Sequence, residues 1–152
     1  MNPKQYGEFI LMICILLLFS SATYVRNSVW KDDVSLWSDV AKKTPNKARV
    51  YSNLGKGYGD FGRIKEEFDA YKKALRINPQ FPQAHYNLGV LFGAMANYAE
   101  EIRSYKQAIR FKSDYAKAYC NLGAAYGAIG NYPEAIRALK KAIRLNPKDA
   151  TA

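Results

Sequence analysis

Two cysteines, a single histidine and 13 acidic residues are all that this 152-residue chain offers toward covalent, metal or acid–base chemistry. Cys14 lies in an apolar run and Cys120 in a distant polar region, so no disulfide framework holds the fold. His85 has no companion at metal-ligand spacing, and no P-loop is present. Cys120 therefore reads as an inert thiol, with no histidine to raise its thiolate fraction. The expectation is a non-enzyme with no catalytic, cofactor-binding or metal-binding residues and no cofactor. Acids are also scarce relative to bases: 23 Lys and Arg give a net charge of +10, which favours anionic partners or surfaces.

A long apolar run occurs once. Phe9 to Phe19, FILMICILLLF, is eleven apolar residues, and Glu8 and Arg26 bracket 17 uncharged ones. As a helix that stretch spans about 25 Å, the short end of what a hydrocarbon core of ~30 Å requires. One reading is a single-pass anchor. Another is a cleaved signal peptide, with Lys4 ahead of the run and Ser20-Ser21-Ala22 as a small-residue cleavage site. A buried core helix is the third, and the lack of any polar face argues against it. Arg26, Lys31, Lys42 and Lys43 place the remainder in the cytoplasm by the positive-inside rule, whereas the short leading tail places it outside. The expectation carried forward is a membrane segment at residues 1–25, single-pass in a bacterial-type inner membrane with the rest extracytoplasmic, or a secreted chain if the segment is removed.

Beyond it the sequence matches itself. SNLGKGY (52–58), YNLGVLF (86–92) and CNLGAAY (120–126) stand 34 residues apart, as do FDAYKKALRINP, IRSYKQAIRFKS and IRALKKAIRLNP. A fixed period over three copies marks a repeat architecture. Within a copy, Tyr51, Leu54, Gly55 and Tyr58 form one helical stripe and Phe68, Tyr71, Ala74 and Leu75 a second. Gly62 or Gly130, followed by Arg63, Asn97 or Asn131, marks the turn between them. Glu66-Glu67, Glu100-Glu101 and Glu134 open each second helix at the positive end of its dipole, and Arg76, Arg110 and Arg144 lie near the negative end. Pro79 and Pro147 stop the pair, and Ser113 stands in the middle copy's place.

This pattern resembles the tetratricopeptide repeat (TPR) family. The resemblance is carried by Tyr51/His85/Tyr119, by Leu54-Gly55, Leu88-Gly89 and Leu122-Gly123, by Tyr58/Phe92/Tyr126, and by Tyr71/Tyr105/Leu139 and Ala74/Ala108/Ala142. It implies an all-α fold, a right-handed superhelix of stacked helical hairpins (an α-solenoid) behind one N-terminal apolar helix. Repeats are expected at 48–81, 82–115 and 116–149, and a second-helix-like half repeat at 26–47, because Asp32-Asp33-Val34, Trp37 and Val40-Ala41 precede their counterparts by 34 residues. The stretch RNSVWKDDVSLWSDV (26–40) is similar to the junction between membrane helix and repeats in some large multi-spanning glycosyltransferases, whose repeats face away from the cytoplasm. Shifting by 34 also disposes of a G-x-G-x-x-G at Gly57–Gly62: Gly55 and Gly59 recur in every copy, and no strand precedes them. Three glycines in one helix would leave the first repeat's leading helix the softest, at about 0.8–1 kcal/mol each relative to Ala.

In such a superhelix the first helices line the concave face. The family geometry puts Arg49, Ser52, Asn53, Lys56 and Asp60 there, then Gln83, Tyr86, Asn87 and Val90, then Lys117, Cys120, Asn121 and Ala124. Asn53, Asn87 and Asn121 supply one amide per repeat, similar to the asparagine ladder of the O-linked N-acetylglucosamine transferase family; local capping is the equal alternative. Candidate groove residues are thus Asn53, Asn87, Asn121, Lys56, Tyr86, Arg49 and Lys117. The chaperone-tail clamp of other family members needs Lys and Asn at Ser52- and Lys56-type positions, of which only Lys56 is present.

The second helices carry an outward basic stripe: Lys72, Arg76, Arg103, Lys106, Arg110, Arg137, Lys140 and Arg144. It reads as a solvated face, or as a surface for anionic lipid headgroups; nucleic acid is not expected. Ile136, Leu139 and Ile143 at one end and Trp37 at the other are candidate self-association residues, because unmatched ends invite head-to-tail contact. Three functions follow: a membrane-anchored scaffold binding an extended peptide or partner protein, a self-assembling (homo-oligomeric or filamentous) subunit, or an accessory piece of a membrane glycosyltransferase system.

Overall fold

The computed structural model describes Met12 and residues 32–147; the apolar run apart from Met12, and the stretch up to Lys31, lie outside the described residues. Within residues 32–147 seven helices follow one another: α1 (Asp33–Lys43), α2 (Ala48–Asp60), α3 (Ile64–Ile77), α4 (Pro82–Ala94), α5 (Tyr98–Phe111), α6 (Ala116–Ala128) and α7 (Tyr132–Leu145). None of them is long and apolar enough to cross a membrane. They form three hairpins, α2–α3, α4–α5 and α6–α7, with α1 packed on α2. Successive first helices touch one another, α2 with α4 and α4 with α6, and no comparable contact joins the second helices. Crowding on one side and spreading on the other makes the first helices the inner layer of the stack.

Glycine sets how closely each hairpin closes. A Cβ on Gly55 would stand 2.5 Å from the Tyr71 ring, and one on Gly89 2.5 Å from the Tyr105 ring. Each tyrosine of the second helix therefore lies directly against bare backbone of the first, and both residues are buried. In the third hairpin Leu139 takes that place, 2.7 Å from the Cβ position of Gly123. Gly57 has a different reason: its Cβ position meets Val34 of α1 at 3.3 Å, so it admits the half-repeat helix. Ala74, Ala84, Ala108 and Ala118, all at 0% exposure, fill the tight crossings with the least side chain that a helix favours.

The turns inside the hairpins share one geometry. Gly62 and Gly130 adopt φ of +67° and +75°, and the residue after each returns its N–H to the helix, Arg63 to Tyr58 O at 3.0 Å and Asn131 to Tyr126 O at 2.9 Å. The middle turn does the same with a side chain present, at Ala96 with φ +54°. Asn97 and Asn131 then cap the second helices by accepting from Glu100 N and Glu134 N, at 3.4 and 3.5 Å, whereas Arg63 makes no side-chain cap. The missing proline at Ser113 changes nothing at the helix end: α5 closes with Lys112 N donating to Ala108 O at 2.9 Å, as α3 does with Asn78 N to Ala74 O. A capping box between Asp32 and Ser35 starts α1, with Ser35 N 2.7 Å from Asp32 Oδ1.

Candidate functional site

The inner face is built from exposed cations and half-buried amides. Arg49, Lys56 and Lys117 are exposed, as are Gln83, Val90, Cys120 and Ala124. Asn53, Asn87, Asn121 and Tyr86 are half-buried. Ser52, expected in the groove, is instead 1% exposed, because it sits where α2 meets the next hairpin. Asn87 Nδ2 donates to the Ser52 hydroxyl at 3.3 Å and accepts at Oδ1 from Gln83 Nε2 at 2.9 Å. Tyr115 completes that string by donating to Gln83 Oε1 at 2.7 Å. Asn121 Nδ2 donates to the hydroxyls of Tyr86 and Tyr105, at 3.3 and 3.2 Å. Two of the three ladder amides thus tie each repeat to the one before it.

A cavity of about 410 Å³ opens where this face meets the last hairpin, lined by Tyr86, Lys117, Cys120, Asn121, Leu139 and Ile143 among others. Leu139 and Ile143 are 38% and 50% exposed and Ile136 53%, whereas Tyr105, the counterpart of Leu139 one repeat earlier, is 2% exposed beneath α6. At the other end Trp37 is half-buried against the first hairpin's core with Val34 and Ala41.

Two glutamates do more than start helices. Glu66 pairs with Arg63 at 2.8 Å, and that hydrogen bond holds its carboxyl below the ordinary range. Glu67 turns inward instead, its carboxylate 2.9 Å from the Cβ position of Gly59, and Glu101 does the same at 2.7 Å from that of Gly93. Each meets the tyrosine one turn on, Tyr71 or Tyr105, and burial raises both carboxyls above 4.5. The Tyr105 phenol is pushed up to about 12, first by burial and despite the bond from Asn121. Gly59 and Gly93 face Glu67 and Glu101, while at Gly127, whose counterpart position on the second helix is Ala135, nothing lies within 4 Å.

His85 is a packing residue, its ring 2.9 Å from Pro79 O and stacked on Phe111 at 5.5 Å between centroids. Among the described residues no group of three His, Cys, Asp or Glu side chains could hold a metal ion. On the outer face all eight residues of the basic stripe, Lys72 to Arg144, are exposed.

The family described as tetratricopeptide repeat matches residues 116–149, and that described as TPR repeat matches 62–95 and 97–130. A protein O-mannosyl-transferase of Caenorhabditis elegans is 36% identical over 74 residues, 49% of this chain. That is 11% of the relative, so the chain corresponds to about a tenth of its length. Among solved structures, MamA is similar with a TM-score of 0.69 and 25% identity, over 78% of this chain and 70% of that one. The first TPR of Spaghetti (RPAP3), solved with the HSP90 peptide SRMEEVD, is similar with a TM-score of 0.65 and 26% identity, over 67% of this chain and 81% of that one.

Proposed function

Because the chain belongs to the tetratricopeptide repeat family, we propose that it is a non-catalytic scaffold whose inner groove binds an extended peptide of a partner protein. The observation that carries this is the exposed set Arg49, Lys56 and Lys117 beside half-buried amides, on a hairpin stack similar to one solved with a peptide bound. The amides recognise backbone and the cations select acidic side chains on the peptide. With Ser52 buried, the chaperone-tail clamp lacks its partner position, so an internal acidic segment suits this groove better than a terminal carboxylate. The test is an array of acidic peptides probed with the full chain. Peptides retained by wild type and lost with Arg49→Glu, Lys56→Glu and Lys117→Glu together support the groove. Equal retention by that variant overturns it.

Residues 9–25 serve in this reading as a membrane anchor, with the repeats outside the cytoplasm. Intact mass of the chain from its own cells checks this: retention of residues 1–22 supports an anchor, and a start at Thr23 makes the chain an exported one.

The exposed Ile136, Leu139 and Ile143 favour a second reading, self-assembly through that end of the stack. Light scattering on residues 24–152 separates it from the first, since growth with concentration supports assembly and a clean monomer removes it. The similarity to an O-mannosyl-transferase over 74 residues supports a third, an accessory role beside a membrane glycosyltransferase, tested by co-purification of such an enzyme.

A further inference from the structure

On the outer face the three hairpins carry clefts at a shared repeat position, the first between its own two helices and the other two bounded also by the preceding second helix, and the three differ sharply in charge. In the first, Glu66 and Asp69 face Lys73 and Arg76. In the second, Glu100 faces Arg103 and Lys72. In the third, a cavity of about 290 Å³ gathers Lys106, Arg137, Lys141 and Arg144 with only Glu134 against them. Arg137 already pairs with Glu134 at 3.1 Å, which leaves Lys106, Lys141 and Arg144 with no ion pair among the described residues.

The arrangement is built rather than diffuse. Arg137, Lys141 and Arg144 follow at i, i+4 and i+7 on α7 and so line one wall over about 10 Å. Lys106 enters from α5 across the cleft, held over the Tyr126 ring at 5.4 Å from its centroid. Lys141 is half-buried in the wall, unlike its exposed neighbour Lys140. Tyr119 belongs to the same lining. Like charges at i, i+4 oppose each other by about 0.2–0.5 kcal/mol on a helix, and a third cation across the cleft adds to that. The first repeat's cleft relieves the same strain with Asp69, which the third replaces with Arg137.

We propose that the cleft between α5, α6 and α7 is a binding site for a phosphate group, held by Lys106, Lys141 and Arg144. A carboxylate would balance one of the three cations. A phosphomonoester carries about −1.5 to −2 charge and three acceptor oxygens, matching two ammonium groups and a guanidinium fork. The volume suits a phosphate with a small attached group, whether a soluble compound or the headgroup of a lipid such as phosphatidic acid. The site lies on the opposite face from the peptide groove and stands or falls independently of it.

The test titrates the full chain with inorganic phosphate and, separately, with phosphatidylcholine vesicles with and without phosphatidic acid, at physiological ionic strength so that exposed charge is screened. Two variants remove equal charge: Lys141→Ala/Arg144→Ala in the third cleft and Lys73→Ala/Arg76→Ala at the equivalent positions of the first. The expected result is saturable binding weakened at least tenfold by the first pair and less than twofold by the second, with unchanged far-UV circular dichroism. Binding of the free ion alone assigns a soluble phosphate compound, and binding only to phosphatidic acid vesicles assigns a headgroup. Absence of saturable binding to either, or equal weakening by both pairs, overturns the proposal.

Discussion

At position 96 the chain carries a side chain where its sister turns carry none. Ala96 holds φ +54° in the place that Gly62 and Gly130 fill. An L-residue with a Cβ is disfavoured there by about 1–2 kcal/mol, and glycine is not, though it loses some of that gain through a more flexible unfolded chain. Ala96→Gly is therefore expected to raise stability by about 1 kcal/mol, read from urea denaturation. Glu101 gives the second residue-level prediction. Its carboxyl is raised by burial, so the folded chain holds that proton more tightly than the unfolded chain. The charged form lowers stability at neutral pH, and the loss is recovered as pH falls through the raised value toward 4.5. Glu101→Gln keeps an acceptor for Tyr105 and removes the charge. Its melting temperature is expected above wild type at pH 7, with the gap closing by about pH 4. The inward turn of Glu101 was readable only as one glutamate of a pair at a helix start, because the sequence shows charge but not which of two adjacent carboxylates faces the preceding helix.

Within the elements, the glycines of the first helices look alike in sequence and differ in what they meet. Gly55 lies against the Tyr71 ring, and a methyl there would come within 2.5 Å of it. Gly127 has nothing within 4 Å, because Ala135 replaces the glutamate found in the other hairpins. Gly55→Ala is expected to destabilise by about 1–3 kcal/mol through overpacking. Gly127→Ala is expected to stabilise by about 0.8–1 kcal/mol through helix propensity alone. Thermal melts of the two variants, opposite in sign, check the pairing. Helix existence and period followed from the 34-residue spacing. The depth at which each glycine is buried did not, since it depends on a residue in the partner helix.

For the molecule as a whole, the three glycines of α2 suggest softness at that end. Packing shifts the weak point. In the structure α2 is held by α1, α3 and α4, and each of its helical glycines admits a neighbour. By contrast, α7 packs mainly on α6 and leaves Ile136, Leu139 and Ile143 open. In a stack stabilised by nearest-neighbour contacts, an element with one neighbour opens first. Hydrogen exchange is expected to be faster in α7 than in α2, and the reverse order would show that glycine content outweighs packing. The uneven charge of the three outer clefts also belongs to this scale. The basic stripe was visible as eight cations at repeat positions, but Lys141, one residue off the stripe, was not.

The sequence alone determined the repeat, its period and the hairpin of each copy, because those follow from local periodicity and turn chemistry summed over three copies; the layer to which each helix belongs was implied by the family resemblance. Tertiary structure alone decided how the polar side chains are used. Two of three ladder asparagines bind the preceding repeat, two glutamates turn inward, and Lys141 faces the third cleft while Lys140 faces solvent. A polar side chain on a repeat has partners on either side of it in space, and which it takes is settled by distances between helices that no single copy of the repeat contains.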